Sequence, residues 1–168
     1  MKKALTLALI TTALALLLLP AAPVAAITPT KAERAVIKLV NKERAKQGLA
    51  TVRFNAALTR AARAHSREMA RRGVLTHRSA SGATVAGRAV ANGYRRSGYR
   101  YWTVGENIAC ARSGTLLATP TGAVYLWSRT GTHRRIMLRS VFRNVGVGVA
   151  TAANGTRYFT IDLGRRTR

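Results

Sequence analysis

The sequence predicts an α+β domain in which an antiparallel sheet is covered by helices. Three observations predict it. Residues 30–47 and 55–72 carry apolar side chains at helical spacing, with a polar cap in front and a glycine behind. Near the C-terminus, Val145, Val147 and Val149 alternate with Asn144, Gly146 and Gly148, and Asn154-Gly155 marks a hairpin turn into residues 158–163. Between these regions an apolar run surrounds Gly105-Glu106-Asn107-Ile108 and reads as a further strand.

Each element has its own local cause. In the first helix, Thr30 and Glu33 form a capping-box signature; Val36, Ile37, Leu39 and Val40 make the apolar face, and Gly48 ends it. Residues 49–54 read as an extended linker. Asn55 caps the second helix, whose inner face holds Leu58, Ala61, Ala62, His65 and Met69; His65 there reads as a core histidine, and Gly73 stops the helix. His77 follows in a turn. Residues 79–98 are rich in Gly, Ser and Ala, with one short helix expected at 83–92. Tyr94 to Trp102 interleaves aromatics with Arg, a pattern that binds single strands or glycans by stacking plus charge; the plainer reading is a solvated loop whose last aromatics enter the strand. After that strand, residues 112–120 read as a loop, Thr121 as the cap of a third helix with Ala123, Val124, Leu126 and Trp127, and His133 as the start of a further helical turn.

The first 26 residues read as a secretory signal peptide: a basic start at Lys2 and Lys3, an uncharged apolar run from Ala4 to Leu19, and small residues up to Ala26. The apolar run is shorter than a bilayer span of about 20 residues, which favours cleavage near Ala26 over a permanent anchor. The expected product is one domain, residues 27–168, secreted to the extracellular space or the periplasm. The net charge of +24 falls to +22 without Lys2 and Lys3, carried by 142 residues (168 less 26). Such a surface attracts polyanions: anionic cell-envelope polymers, lipid headgroups or nucleic acid. Export argues against nucleic acid as the biological partner, and codon bias toward Arg explains the charge equally well. The single cysteine, Cys110, forms no internal disulfide and reads as a small packed hydrophobe.

The chain has five carboxylates. Glu33, Glu43 and Glu68 fall in helical polar patterns and are expected to face water. Glu106 sits in an apolar strand, where a carboxylate is costly unless paired. His77 and His133 are its candidate partners. Asp162, the remaining carboxylate, reads as a strand-end cap. Several chemistries fit poorly. A glycosidase needs a carboxylate pair, for which only Glu106 and Asp162 are available. Ser66 and His65 are adjacent on a helix and do not face each other. There is no glycine-rich phosphate loop and no multi-cysteine metal motif.

Taken in order, Asn41-x-x-Arg44, Asn55-x-x-Leu58-x-x-Ala61-x-x-His65-Ser66-x-x-Met69, His77, Gly93-Tyr94, Gly105-Glu106-Asn107-Ile108, Trp127, His133-Arg134-x-Ile136-Met137-Leu138 and Phe142-x-x-Val145-Gly146-Val147-Gly148 resemble the CAP superfamily (cysteine-rich secretory proteins, antigen 5 and pathogenesis-related 1 proteins; the SCP domain), in its short bacterial exported form. The resemblance covers about residues 37–164. It implies a three-layer α-β-α sandwich with a central antiparallel sheet, and a cleft tetrad of two His and two Glu. His77, Glu106 and His133 match three of these positions. Thr130 stands where the second Glu would be, a replacement common in bacterial members.

Two functions follow as expectations. One is a monomeric binding module whose cleft takes a lipid, a glycan or an envelope polymer, a small apolar ligand included, with Glu106 hydrogen-bonded to the two histidines. The other is a divalent-metal-dependent, peptidase-like hydrolase, with zinc or a similar cation on His77, Glu106 and His133. Thr130 is a poor ligand and no general base, so the binding module ranks first.

Overall fold

The computed structural model describes residues 26–168; the expected signal peptide, residues 1–26, lies outside this range except for Ala26. Helices α1 (Lys31–Ala45), α2 (Ala56–Arg72), α3 (Val85–Ala91), α4 (Pro120–Arg129) and α5 (Gly131–Met137) surround strands β1 (Arg53–Phe54), β2 (Tyr101–Arg112), β3 (Asn144–Thr151) and β4 (Thr156–Thr167). The sheet order is β1-β3-β4-β2. The three long strands are antiparallel; the two-residue β1 adds a parallel edge on β3, in the segment expected to be a linker. All described helices, strands and apolar clusters fall between Lys31 and Thr167. No described helix is long and apolar enough to cross a membrane.

The helix caps follow local chemistry. Thr30 and Glu33 form the capping box, and Asn55 accepts from the Leu58 amide. The cap of α4 is Thr119 rather than Thr121, because Pro120 occupies the first helical position and a short 3-10 turn, Leu116–Ala118, leads into it. Glu33 does not face water as expected. It is buried and bound by Arg63 at 2.6 and 2.7 Å, while Arg63 also donates to the Thr28 carbonyl.

The strands divide the interior by alternation. Val145, Val147, Phe159, Ile161 and Leu163 join Val36 and Val40 of α1 and Trp127 of α4 in one core. On the other face, Gly146 and Gly148 lie directly under α2. A Cβ on Gly146 would collide with the Leu58 and Thr59 backbone, and one on Gly148 with Ala62 and Arg63. These two glycines let a helix rest on bare strand, and Ser66 locks the contact by donating to the Gly148 carbonyl at 3.0 Å. The result is the three-layer α-β-α sandwich, with α2 on one side and α1 and α4 on the other.

Arg44 is wholly buried and donates to the carbonyls of Ala50, Met137, Arg139 and Phe142, tying α1 to the segment that enters β3. Tyr94 belongs to a core rather than a solvated loop: it is fully buried, its carbonyl accepts from the Trp102 indole, and Arg166 lies 4.7 Å from both its ring and that of Tyr99.

Gly146→Ala is expected to destabilise the fold by about 3 kcal/mol or more, since only backbone movement can relieve the overlap. Gly131→Ala, which meets nothing within 4 Å, is expected to be neutral or to stabilise by about 0.5 kcal/mol. Urea unfolding of both variants checks this; similar midpoints would contradict the close-approach argument.

Candidate functional site

Glu106 lies midway along β2 and is 4% exposed. Alternation turns it toward α2 and α3, and turns its neighbour Asn107 the other way. Its two oxygens have separate partners. His77 Nδ1 donates to Oε1 at 2.8 Å, and Arg88 Nη2 donates to Oε2 at 2.5 Å. Burial alone would raise the Glu106 pKa; the His77 hydrogen bond and the Arg88 charge overcome this and hold it below the usual carboxylate range.

His77 arrives here because its loop is fixed on two sides. His65, buried on α2, donates from Nε2 to the Thr76 carbonyl at 2.8 Å, and Arg88 Nη1 donates to the His77 carbonyl at 2.9 Å. Burial keeps His65 easier to deprotonate than usual. Its ring is therefore neutral, and the 3.9 Å approach of Nε2 to Glu106 Oε2 is a polar contact rather than an ion pair. The His77 side chain is 54% exposed and opens onto a cleft of about 370 Å³ shared with Arg78, Thr84, Val85 and Ile136.

The expected residues separate. His77 and Glu106 meet. His133 makes no side-chain hydrogen bond to Glu106. It opens α5, which β2 holds through the opposite face: Asn107 Nδ2 donates to the His133 carbonyl at 2.9 Å. The His133 ring is half-buried, and burial together with the nearby His77 lowers its pKa. Thr130 is exposed between α4 and α5, and its hydroxyl reaches only the Leu126 carbonyl at 3.4 Å. Asp162 does not cap a strand end. It sits inside β4, directly across from Glu106, fully buried and with both oxygens unpartnered among the described residues. Burial and the Glu106 charge push its carboxyl well above the usual aspartate range, which favours its protonated form. Cys110 is half-buried beside Ile108 and Tyr158, and burial raises its thiol pKa, which fits a packed hydrophobe.

Arg88 and the Asp162 pairing are absent from the sequence reading. Arg88 is one arginine among 29 Lys and Arg, on a seven-residue helix too short for periodicity to expose its inner face. The Asp162 pairing needs the strand register, which composition does not supply.

A divalent cation fits this arrangement poorly. Both Glu106 oxygens are engaged, and the Arg88 guanidinium stands against one of them. His77 turns Nδ1 to the carboxylate and leaves Nε2 outward as a single possible ligand. Among the described residues no group of three or more His, Cys, Asp or Glu side chains is gathered for a metal.

Removing Arg88 leaves a buried charge without its counter-ion. Arg88→Met is expected to cost about 3–5 kcal/mol, much of it recovered in the Arg88→Met/Glu106→Gln double variant; a double-mutant cycle by chemical unfolding reads the coupling. Asp162 behaves oppositely to Glu106 in pH. Its folded pKa is raised, so the folded state keeps a proton that the unfolded chain releases, and its contribution to stability falls as pH rises above the ordinary aspartate value of about 4. Asp162→Asn should exceed the parent in stability at neutral pH, with the advantage vanishing at lower pH; an advantage that does not change with pH would contradict a proton held at Asp162.

Residues 37–163 match the family described as CAP, the cysteine-rich secretory protein family. A curated relative, "Uncharacterized protein YkwD" of Bacillus subtilis (strain 168), is 32% identical over 116 residues, covering 69% of this chain and 41% of the relative. The chain thus spans about two fifths of that protein. Among solved structures, an extracellular protein containing a SCP domain from Bacillus anthracis str. Ames superposes with a TM-score of 0.66 at 23% identity, over 84% of this chain and 45% of that one. An outer surface protein from Borrelia burgdorferi superposes with a TM-score of 0.66 at 15% identity, over 80% and 92% of the two chains. These likenesses show a shared fold. With its sequence matched over most of its length and its sandwich shared with SCP-domain structures, the chain belongs to the CAP family of cysteine-rich secretory proteins.

Proposed function

We propose that this protein is an exported CAP-domain binding module whose His77 cleft receives a phosphate-bearing polymer of the cell envelope. The observation that carries the reading is the 2.5 Å contact between Arg88 and Glu106. It neutralises the one carboxylate on the cleft floor from within, so the cleft presents His77 Nε2 and the exposed Arg78 without an opposing negative charge. A surface of net charge +22 beyond residue 26 draws polyanions from a distance, and the cleft supplies a defined place for one phosphate. Export rests on the apolar N-terminal segment; an extracellular relative of the same fold supports it.

The competing reading is the metal-dependent hydrolase on His77, Glu106 and His133. It requires Glu106 to give up Arg88 and turn a freed oxygen toward a cation. Among the described residues, those beside Glu106 are ill placed to activate water, because Thr130 points elsewhere and both His65 and Asp162 are sealed in the core.

Isothermal titration of residues 27–168 separates the two. Poly(glycerol phosphate) is expected to bind the parent, and His77→Ala/Arg78→Gln is expected to lose about tenfold more affinity than a charge-matched change at Arg95, since a direct charge-assisted hydrogen bond is lost in addition to screened attraction. Zinc is expected to give no saturable site. One-to-one zinc binding that His77→Ala/His133→Ala abolishes would overturn the proposal in favour of the hydrolase.

A further inference from the structure

We propose that the turn carrying Leu116 and Leu117, together with Tyr125 on α4, is a docking edge that seats this protein on an anionic phospholipid membrane. The edge is distinct from the His77 cleft: Glu106 and Arg112 are six residues apart along β2, about 20 Å, and the turn lies beyond Arg112.

Leu116 is 86% exposed, Leu117 41% and Tyr125 54%. The three line one apolar groove of about 540 Å³ with Gly122. Their exposure is built in. Gly122 has no side chain, and a Cβ there would strike the Leu116 carbonyl and the Leu117 backbone. The turn therefore presses flat onto α4, and its leucines project outward. Hydrogen bonds fix it in that pose. Thr115 donates to the Arg112 carbonyl at 2.8 Å, Thr119 donates to the Leu116 carbonyl at 2.6 Å, and Arg157 donates to the Ala118 carbonyl at 2.9 Å. A rigid turn that holds two leucines in water gains free energy when an apolar phase covers them.

The charge around the edge names the occupant. Arg112, which precedes the turn, and Arg129, four residues after Tyr125 on α4, are both exposed, and the Arg129 guanidinium lies 5.9 Å from the Tyr125 ring centre. From Asn107 to Ile161 the sequence contains no carboxylate. Glu43, which shares a neighbouring groove with Tyr125, is paired with Lys46 at 2.7 Å. Apolar tips, an amphipathic ring and arginines at its margin are the composition of an interfacial anchor: leucine enters the acyl boundary, tyrosine sits at headgroup level, and guanidinium meets phosphate. A second copy of the chain is disfavoured as the occupant, because two surfaces of such charge repel.

The test is co-sedimentation of residues 27–168 with vesicles of phosphatidylcholine plus phosphatidylglycerol, and with phosphatidylcholine alone. The parent is expected to bind the anionic vesicles and to keep part of that binding when salt is raised. Leu116→Ser/Leu117→Ser is expected to weaken it about tenfold and to lose the salt-resistant part, with an unchanged melting temperature because both side chains are exposed. Arg112→Gln/Arg129→Gln should weaken binding more than Arg95→Gln/Arg96→Gln, which removes the same charge elsewhere. Equal binding by the serine variant, or equal effects of the two arginine pairs, would overturn the proposal, leaving only diffuse charge. So would absence of vesicle binding by the parent, or a dimer in solution that the serine variant lacks. Leu116→Ser/Leu117→Ser should bind poly(glycerol phosphate) as the parent does, because the turn lies outside the His77 cleft, so failure of the cleft reading and failure of this one are separable.

Discussion

The structure turns on one buried carboxylate and the way its charge is balanced. Glu106 lies under a layer of helices, where an ion left alone would cost several kcal/mol. The balance comes from two helical regions at once, Arg88 on α3 and His77 from the loop after α2. The same guanidinium also collects the carbonyls of His77 and Ala83. A charge pair, a loop and a short helix are thus fixed by one side chain, and the wall of the cleft is set by the same contacts that make Glu106 tolerable.

The placement of that pair depends on how closely α2 lies on the sheet. Gly146 and Gly148 remove the side chains that would hold the helix away. His65 then reaches the Thr76 carbonyl and sets the loop from which His77 extends. Asp162 shares the row of Glu106 and Gly146 across the sheet. Burial and the Glu106 charge shift its carboxyl toward the neutral form, which disfavours a second negative charge next to the first. Two carboxyls in adjacent strands, one ionised and one not, are what this spacing permits.

Most of the architecture was legible in the sequence because it rests on local signals. The helix caps, the glycine stops, the valine alternation and the Asn154-Gly155 turn each act over a few residues. The ordered motifs from Asn41 to Gly148 then carried the family and its sandwich. What escaped depends on register and on long-range approach. β1 is two residues long and exists only by pairing with β3. Glu33 was expected in water because its helical position is polar, but Arg63 from α2 covers it. For the site, Glu106 was identified as a buried carboxylate in need of partners, and His77 as one of them. The second partner was expected to be His133 and is Arg88. Adjacent residues on a strand face opposite ways, so it is Asn107, not Glu106, that meets α5.

The two buried arginines have a consequence for where such a domain can work. Arg44 ties α1 to the chain entering β3, and Arg88 ties α3 to the His77 loop and to β2. Each joins segments far apart in sequence, as a disulfide or a structural zinc does in many small domains. A guanidinium is neither reduced nor chelated, and it stays charged across the range in which proteins fold. With Cys110 the single cysteine of the sequence, these ties call on no oxidase. Ties of this kind hold in reducing surroundings as readily as in oxidising ones.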